Sequence, residues 1–163
     1  MNSRVVANEV YIPVVRELLE EGKEVSLTVS GNSMSPFFIH TRDKVLLGPV
    51  DDGMHKGDIA IFQRKSGQFV LHRICRVSEE GQYFFIGDAQ TQAEGPVGRN
   101  QIFGKVKAVC RKGTWLKPGD FWWEFFEHVW LRMIPARRLA CRCYDTLKKL
   151  TGGLQNRKKG LEG

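Results

Sequence analysis

The chain of 163 residues is long enough for one domain with a buried core and an additional segment, and its 42% hydrophobic and 26% charged residues are typical of a soluble globular protein. Four cysteines are too few for a disulfide scaffold. The sequence has no stretch of about 18 apolar residues and no secretory signal, which argues against a spanning helix and predicts a cytoplasmic location. The formal net charge of +7 is unevenly distributed along the chain. Residues 1–110 hold 13 of the 25 basic and 13 of the 18 acidic side chains, so residues 111–163 carry the whole positive excess. We therefore expect residues 111–163 to bind an anionic partner.

An N-terminal helix is predicted within residues 1–24. Apolar side chains recur every three or four positions across residues 5–21, which is the period of an amphipathic helix. Gly22 marks its end, and Pro13 is a point at which the helix could split. We expect this helix to cover one end of the core.

Residues 25–112 are predicted to form a β domain. Short, apolar, β-prone segments follow one another and are separated by turn residues rather than by helices. They lie at residues 25–29, 44–47, 58–63, 69–77, 82–86 and 101–110. Strands this close together indicate a mainly β fold, with antiparallel strands coiled into a barrel-like sheet.

Amphipathic, basic helices are predicted for residues 113–151. The first, at residues 121–134, has ten apolar residues in fourteen. Its length of about 21 Å is too short to cross a hydrocarbon core of about 30 Å. It either lies on an anionic membrane surface, together with the basic residues that follow as far as Lys149, or packs on the β domain. Residues 152–163 are predicted to be a disordered tail, and no base-reading element suggests a specific nucleic acid.

Residues 29–37 contain the first candidate catalytic side chain. Gly31 permits backbone angles closed to other residues, and Pro36 prevents a helix from continuing. Ser33 is therefore expected on a tight, exposed turn, where backbone N–H groups flank its hydroxyl as an acyl-transfer nucleophile requires. The alternative is an ordinary polar turn, because Ser, Gly, Asn and Pro are common turn residues.

His72 is the candidate base among the four histidines. Alternation along residues 69–77 places it on one strand face between Val70 and Ile74, so that its ring is partly desolvated and stays neutral at pH 7. The same alternation separates it from Cys75, which disfavours a metal site, and we expect no cofactor. The alternative is a core histidine with a structural partner.

Two carboxylates follow the candidate base along the chain. Asp88 ends an apolar strand after a glycine, and Glu94 lies in the next loop. Either is placed to accept the second ring N–H of His72, fixing its tautomer and stabilising the imidazolium formed during attack. The alternative for both is an acid on a surface turn.

Four sequence boxes occur in order and at suitable spacing. They are Ser-Gly-Asn-Ser-Met-Ser-Pro at 30–36, Lys-Gly-Asp-Ile-Ala-Ile-Phe at 56–62, Leu-His-Arg-Ile at 71–74 and Ile-Gly-Asp-Ala at 86–89. Together they resemble the signal peptidase I superfamily, which includes the self-cleaving repressors of the DNA-damage response, over roughly residues 25–110. Histidine in the third box is similar to the endoplasmic-reticulum and spore-former type, since the bacterial type has lysine there.

The resemblance implies a signal-peptidase-like serine endopeptidase and assigns roles to the candidate residues. Ser33 would attack the peptide carbonyl and His72 would take and return the proton. The acid that supports His72 would be Asp88, in the box itself, or Glu94, six residues on, where the family pattern has aspartate.

The oxyanion hole departs from the family pattern. The secretory enzymes tend to carry a hydroxyl two residues before the nucleophile, whereas Gly31 stands there in this chain. We therefore expect the backbone N–H of Ser33 to act with Ser30 or Asn32.

The resemblance also implies an extended, leader-like peptide or precursor protein as substrate, added as a strand beside the core. Related signal peptidases are anchored by spanning helices, so we expect this chain to act in the cytoplasm or at the inner face of the membrane. One alternative is a catalytically idle peptide-binding module on the same fold. Another is a self-cleaving regulator, which would need an Ala-Gly or Cys-Gly bond, and neither dipeptide occurs in the sequence.

Overall fold

The computed structural model describes residues 8–51 and 53–137. A helix, α1 (Asn8–Glu20), precedes the strands. The strands are β1 (Val25–Thr28), β2 (Lys44–Gly48), β3 (Ile59–Gln63), β4 (Phe69–Val77), β5 (Tyr83–Ile86), β6 (Glu94–Val97), β7 (Ile102–Arg111) and β8 (Thr114–Leu116). A 3₁₀ turn, Arg99–Gln101, connects β6 to β7.

The N-terminal helix packs on the sheet as the apolar spacing predicts. Ile12, Val15 and Leu19 are buried in the core, and the chain leaves the helix at Gly22, whose φ of +82° is a conformation that glycine adopts without strain. Pro13 lies inside the helix, which continues through it. The buried side chains of α1 therefore form part of the core.

The strands form one antiparallel sheet in the order β1-β2-β7-β3-β4-β5-β6, with β8 also paired to β7. This arrangement confirms the predicted mainly β, antiparallel fold. The sheet is not closed into a barrel: β1 and β6 end the strand order, and within the described ranges no pairing joins them. Each has only four residues, and short edge strands are a common way of leaving a sheet open.

Two apolar clusters lie on the two faces of the coiled sheet. The first contains Phe37, Phe38 and the buried side chains of α1, and the second contains Phe62 and Phe85. Residues of β4 alternate between the clusters, since Leu71 packs against the first and Ile74 belongs to the second. Strand β4 thus carries its side chains into two different environments.

A helical segment follows the last strand. It consists of α2 (Phe121–Glu124), a π-helical turn (Phe125–Val129) and a 3₁₀ turn (Trp130–Ala136). Trp123, Phe126 and Trp130 are buried against the first cluster, whereas Phe121 and Trp122 are 73% and 49% exposed. The inner face of the segment therefore packs on the β domain, and membrane contact by the outer face stays a prediction.

Part of the predicted C-terminal region cannot be compared with the structure. Residues 138–151, the last part of the region predicted to form amphipathic, basic helices, and the tail at 152–163 lie outside the described residues. Within the described ranges, no helix has the length and apolar character needed to cross a membrane.

Candidate active site

Ser33 lies in a tight turn after β1, as its neighbours in the sequence predict. The N–H of Ser35 donates to the carbonyl of Asn32 at 3.1 Å, and Gly31 has a φ of +89°. Beneath the turn, Phe37 is fully buried in the first cluster and anchors it. Ser33 itself is half-buried, so the turn places this residue at the protein surface.

A second turn, residues 87–90, binds the first through the backbone. The N–H of Ala89 donates to the carbonyl of Ser33 at 2.8 Å. A Cβ atom added to Gly87 would lie 2.5 Å from the same carbonyl, so only glycine allows this approach. The side-chain carbonyl of Gln90 accepts the Gly87 N–H at 3.0 Å and stiffens the turn. We call residues 87–90 the supporting turn.

His72 lies on β4, opposite Ala60 of β3, and is 2% exposed. Its ring stands 6.5 Å from the ring of Phe62, centroid to centroid. Its Nδ1 atom lies 2.7 Å from Oε1 of Glu94, so this nitrogen is committed to the carboxylate. The other ring nitrogen, Nε2, is then the one available for proton transfer.

Ser33 and His72 line the same open groove, which has a volume of about 350 Å³. Ser30 and Gly31 contribute to one wall and the first half of β4 to the other. Asn32 is not among the described residues that line the groove. Its carbonyl accepts a hydrogen bond from the N–H of Ser35 within the Ser33 turn. Of the two expected helpers of the oxyanion hole, the structure thus brings Ser30 to the groove.

Glu94, the first residue of β6, is held from two sides. Arg64 donates from Nε to Oε2 at 2.6 Å and from Nη2 to Oε1 at 2.8 Å, and His72 contacts Oε1. Burial favours a raised pKa for Glu94, but the hydrogen bonds from Arg64 and the charge of His72 outweigh it, so the pKa lies below its ordinary value. The carboxylate is therefore ionised at neutral pH and oriented toward the imidazole.

The pKa of His72 is lowered below its ordinary value of 6.5, chiefly by burial. The carboxylates of Glu94 and Asp88 favour the charged ring and oppose this shift, while the guanidinium of Arg64 adds to it. Because burial prevails, the ring is neutral at pH 7 and can accept a proton.

Asp88 has a different partner. Its two carboxylate oxygens accept from Nε and Nη2 of Arg73 at 3.1 and 3.0 Å, and both side chains are fully buried. Arg73 also donates to the carbonyl of Gly57 at 2.8 Å. Of the two carboxylates predicted to support His72, the structure places Glu94 against its ring and commits Asp88 to Arg73.

Arg64 was not identified from the sequence. It follows β3 at the start of the hairpin turn to β4, and a single arginine in a polar turn carries no signal of its own. Its role is visible only when β6 brings Glu94 to the same place.

Comparison with curated proteins gives no match. The family model described as Peptidase S24-like matches residues 2–107, about two thirds of the chain, and this range includes Ser33, His72, Asp88 and Glu94. The match agrees with the superfamily indicated by the four sequence boxes. Because the match covers most of the chain, including both turns and the groove, this chain belongs to the Peptidase S24-like family.

Proposed function

We propose that this protein is a serine endopeptidase with Ser33 as nucleophile and His72 as general base. The Peptidase S24-like family supports a serine peptidase or self-cleaving repressor type of fold. The observation that carries the finer assignment is the 2.7 Å contact of His72 with Glu94, beside a groove that Ser33 also lines. A nucleophile, a base and an oriented acid in one groove are the components of acyl transfer.

The proposed reaction moves one proton twice. The hydroxyl of Ser33 attacks the peptide carbonyl while Nε2 of His72 accepts its proton, and Glu94 stabilises the resulting imidazolium through Nδ1–H. The N–H of Ser33 and the hydroxyl of Ser30 stabilise the oxyanion. His72 then protonates the leaving amine, and a water molecule, activated by the same ring, releases the acyl group from Ser33.

The proposed substrate is an extended, leader-like peptide. The groove runs between the end of β1, an edge strand, and the residues of β4 from Phe69 to His72. An extended chain there can pair with exposed backbone groups and present its carbonyl to Ser33. The lack of an Ala-Gly or Cys-Gly bond in this sequence favours a substrate in trans over self-cleavage.

A serine-directed fluorophosphonate tests this proposal directly. We expect a covalent adduct, and mass spectrometry of the digested protein should place it on Ser33, because phosphonylation requires an activated hydroxyl. Heat-unfolded protein treated in the same way is the control. An unmodified Ser33 after prolonged incubation of folded protein would favour the idle peptide-binding module instead.

We also propose that the protein docks on anionic membrane surfaces through an aromatic cluster formed by Phe121, Trp122 and Phe125. The ring centroids lie 5.2 to 6.4 Å apart, and two of the rings are about half exposed or more. Residues 111–163 contain 12 basic and 5 acidic side chains, a charge that complements anionic lipid. Aromatic bulk with adjacent positive charge is typical of interfacial segments.

Flotation with lipid vesicles tests the docking. We expect the protein to float with vesicles containing phosphatidylglycerol at low salt, because anionic lipid attracts basic side chains and low salt screens this attraction least. Flotation with pure phosphatidylcholine should be weaker, because this lipid carries no net charge. The double variant Phe121→Ser/Trp122→Ser should bind more than about tenfold more weakly, since two aromatic side chains no longer enter the interface. Tyr11→Ser/Val14→Ser, on the exposed face of α1, is the matched control. No flotation of the unmodified protein at low salt would refute docking.

A further inference from the structure

The helical segment that follows the sheet reaches the supporting turn. The indole N–H of Trp130 donates to the carbonyl of Asp88 at 2.9 Å. Nη1 of Arg137 donates to the carbonyls of Gly87 and Gln90 at 3.0 and 3.2 Å. Three of the four carbonyls in the turn therefore accept hydrogen bonds from residues beyond position 107, where the family match ends.

Trp130 and Arg137 form one buried unit. Arg137 is fully buried and Trp130 is 7% exposed. Nε and Nη2 of Arg137 donate to the carbonyl of Trp130 at 3.3 and 3.1 Å, and its guanidinium carbon lies 5.7 Å from the centre of the Trp130 ring. The arginine thus holds the segment in a fixed bend while it holds the supporting turn.

The supporting turn in turn fixes the nucleophile. Its Ala89 N–H binds the carbonyl of Ser33, and Gly87 contacts that carbonyl so closely that no side chain fits between them. A displacement of the supporting turn therefore moves the Ser33 backbone, whose N–H and hydroxyl must both be placed relative to the reacting carbonyl. Small misplacements of reacting groups carry large rate penalties.

We propose that Trp130 and Arg137 are positioning residues of the peptidase, which act on Ser33 through the supporting turn. This inference rests on the proposed function of Ser33. It assigns these two residues of the C-terminal segment a role in placing the nucleophile. The competing explanation is that the two residues only contribute to overall stability.

Two tryptophans of the same segment provide a matched experiment. Trp130→Phe removes the bond to Asp88, whereas Trp123→Phe removes a bond of similar length, 2.8 Å, to Glu127 within the segment itself. Both positions are buried, so both variants lose one indole hydrogen bond and similar apolar volume. We expect the rate of fluorophosphonate reaction, and kcat for a cleaved peptide, to fall about tenfold in Trp130→Phe, with KM nearly unchanged. Trp123→Phe should react at the rate of the unmodified protein.

A second readout does not depend on activity. The amide hydrogen of Ala89 is hydrogen-bonded to the carbonyl of Ser33, so its exchange with solvent reports directly on the contact between the two turns. Trp130→Phe should accelerate this exchange about tenfold relative to Trp123→Phe. If the unmodified protein does not react with the phosphonate, the proposed function fails, whatever the exchange shows.

Equal reaction rates and equal Ala89 exchange in the two tryptophan variants would overturn the positioning role. Arg137 gives an independent check, because Arg137→Lys keeps the charge and one donor and should retain more activity than Arg137→Gln. Comparable thermal unfolding of these two variants, combined with unequal kcat, is the expected pattern. Losses of kcat that follow unfolding temperature alone would favour the stability explanation.

Discussion

Replacing His72 with alanine is expected to lower the rate of peptide hydrolysis by roughly 10²- to 10⁴-fold, the usual contribution of a general base. Ser33→Ala should remove covalent turnover altogether. Steady-state cleavage of a leader-like peptide measures both effects, and thermal unfolding shows that each variant remains folded. His55→Ala is the matched control, because His55 is exposed and lies outside the groove. Undiminished cleavage by either active-site variant would exclude the proposed pair.

The pH dependence of cleavage provides a signature of the same residue. A general base must be neutral to accept a proton, and burial holds the pKa of His72 below 6.5. Activity should therefore persist as the pH falls through 6.5 and decline only below it, as the ring becomes protonated. In His72→Ala the remaining slow reaction should lack this decline. A decline centred above pH 6.5 would contradict the environment that the structure gives this ring.

Removing the charge of Asp88 is expected to destabilise the protein, whereas removing the charge of Glu94 should impair catalysis. In Asp88→Asn, the fully buried guanidinium of Arg73 loses its ionic partner, and breaking such a pair costs about 3–5 kcal/mol. In Glu94→Gln, the partly exposed position should cost about 1 kcal/mol of stability or less. Chemical denaturation measures both changes in the free energy of unfolding.

The activities of the same two variants should be ordered in the opposite way. Glu94→Gln no longer stabilises the imidazolium form of His72, so hydrolysis should slow by roughly 10²- to 10⁴-fold. Asp88→Asn, assayed where it is fully folded, should lose less than about tenfold, because its side chain does not contact the imidazole. If Asp88→Asn were the slower enzyme and the more stable protein, the assignment of the two carboxylates would be reversed.

The sequence identifies the positions of Ser33 and His72 because both depend on local patterns. A glycine and a proline define the turn at Ser33, and a period of two along β4 defines the face of His72. Which acid meets His72 depends on long-range register instead. The pairing of β4 with β5 shifts between Ile74 and Arg76, and the pairing of β5 with β6 shifts again between Tyr83 and Phe85. Nothing in the local sequence reports such shifts.

Other features depend on contacts between distant segments. The role of Arg64 depends on the position of β6, which places Glu94 within hydrogen-bond distance of its guanidinium. The sequence pattern places Arg73 on the strand face opposite His72 but does not reveal its ion pair with Asp88. The sequence does not distinguish whether the apolar face of the C-terminal segment packs on the β domain or lies on a membrane, since an apolar helical face suits a core and a membrane equally well. Strand density indicates a barrel-like sheet, but it does not determine whether the two end strands meet.

Strand β7 extends beyond the end of the family match. It pairs with β2, β3 and β8, and its last residues, Ala108 to Arg111, pair with residues 44–46 on one side and 114–116 on the other. A fragment ending at residue 107, where the family match stops, would cut this strand in the middle of its ladder. The segment that the family match covers is therefore shorter than the sheet to which it belongs, and an expression fragment trimmed to the match would leave three of the five residues of β2 without their partners on β7.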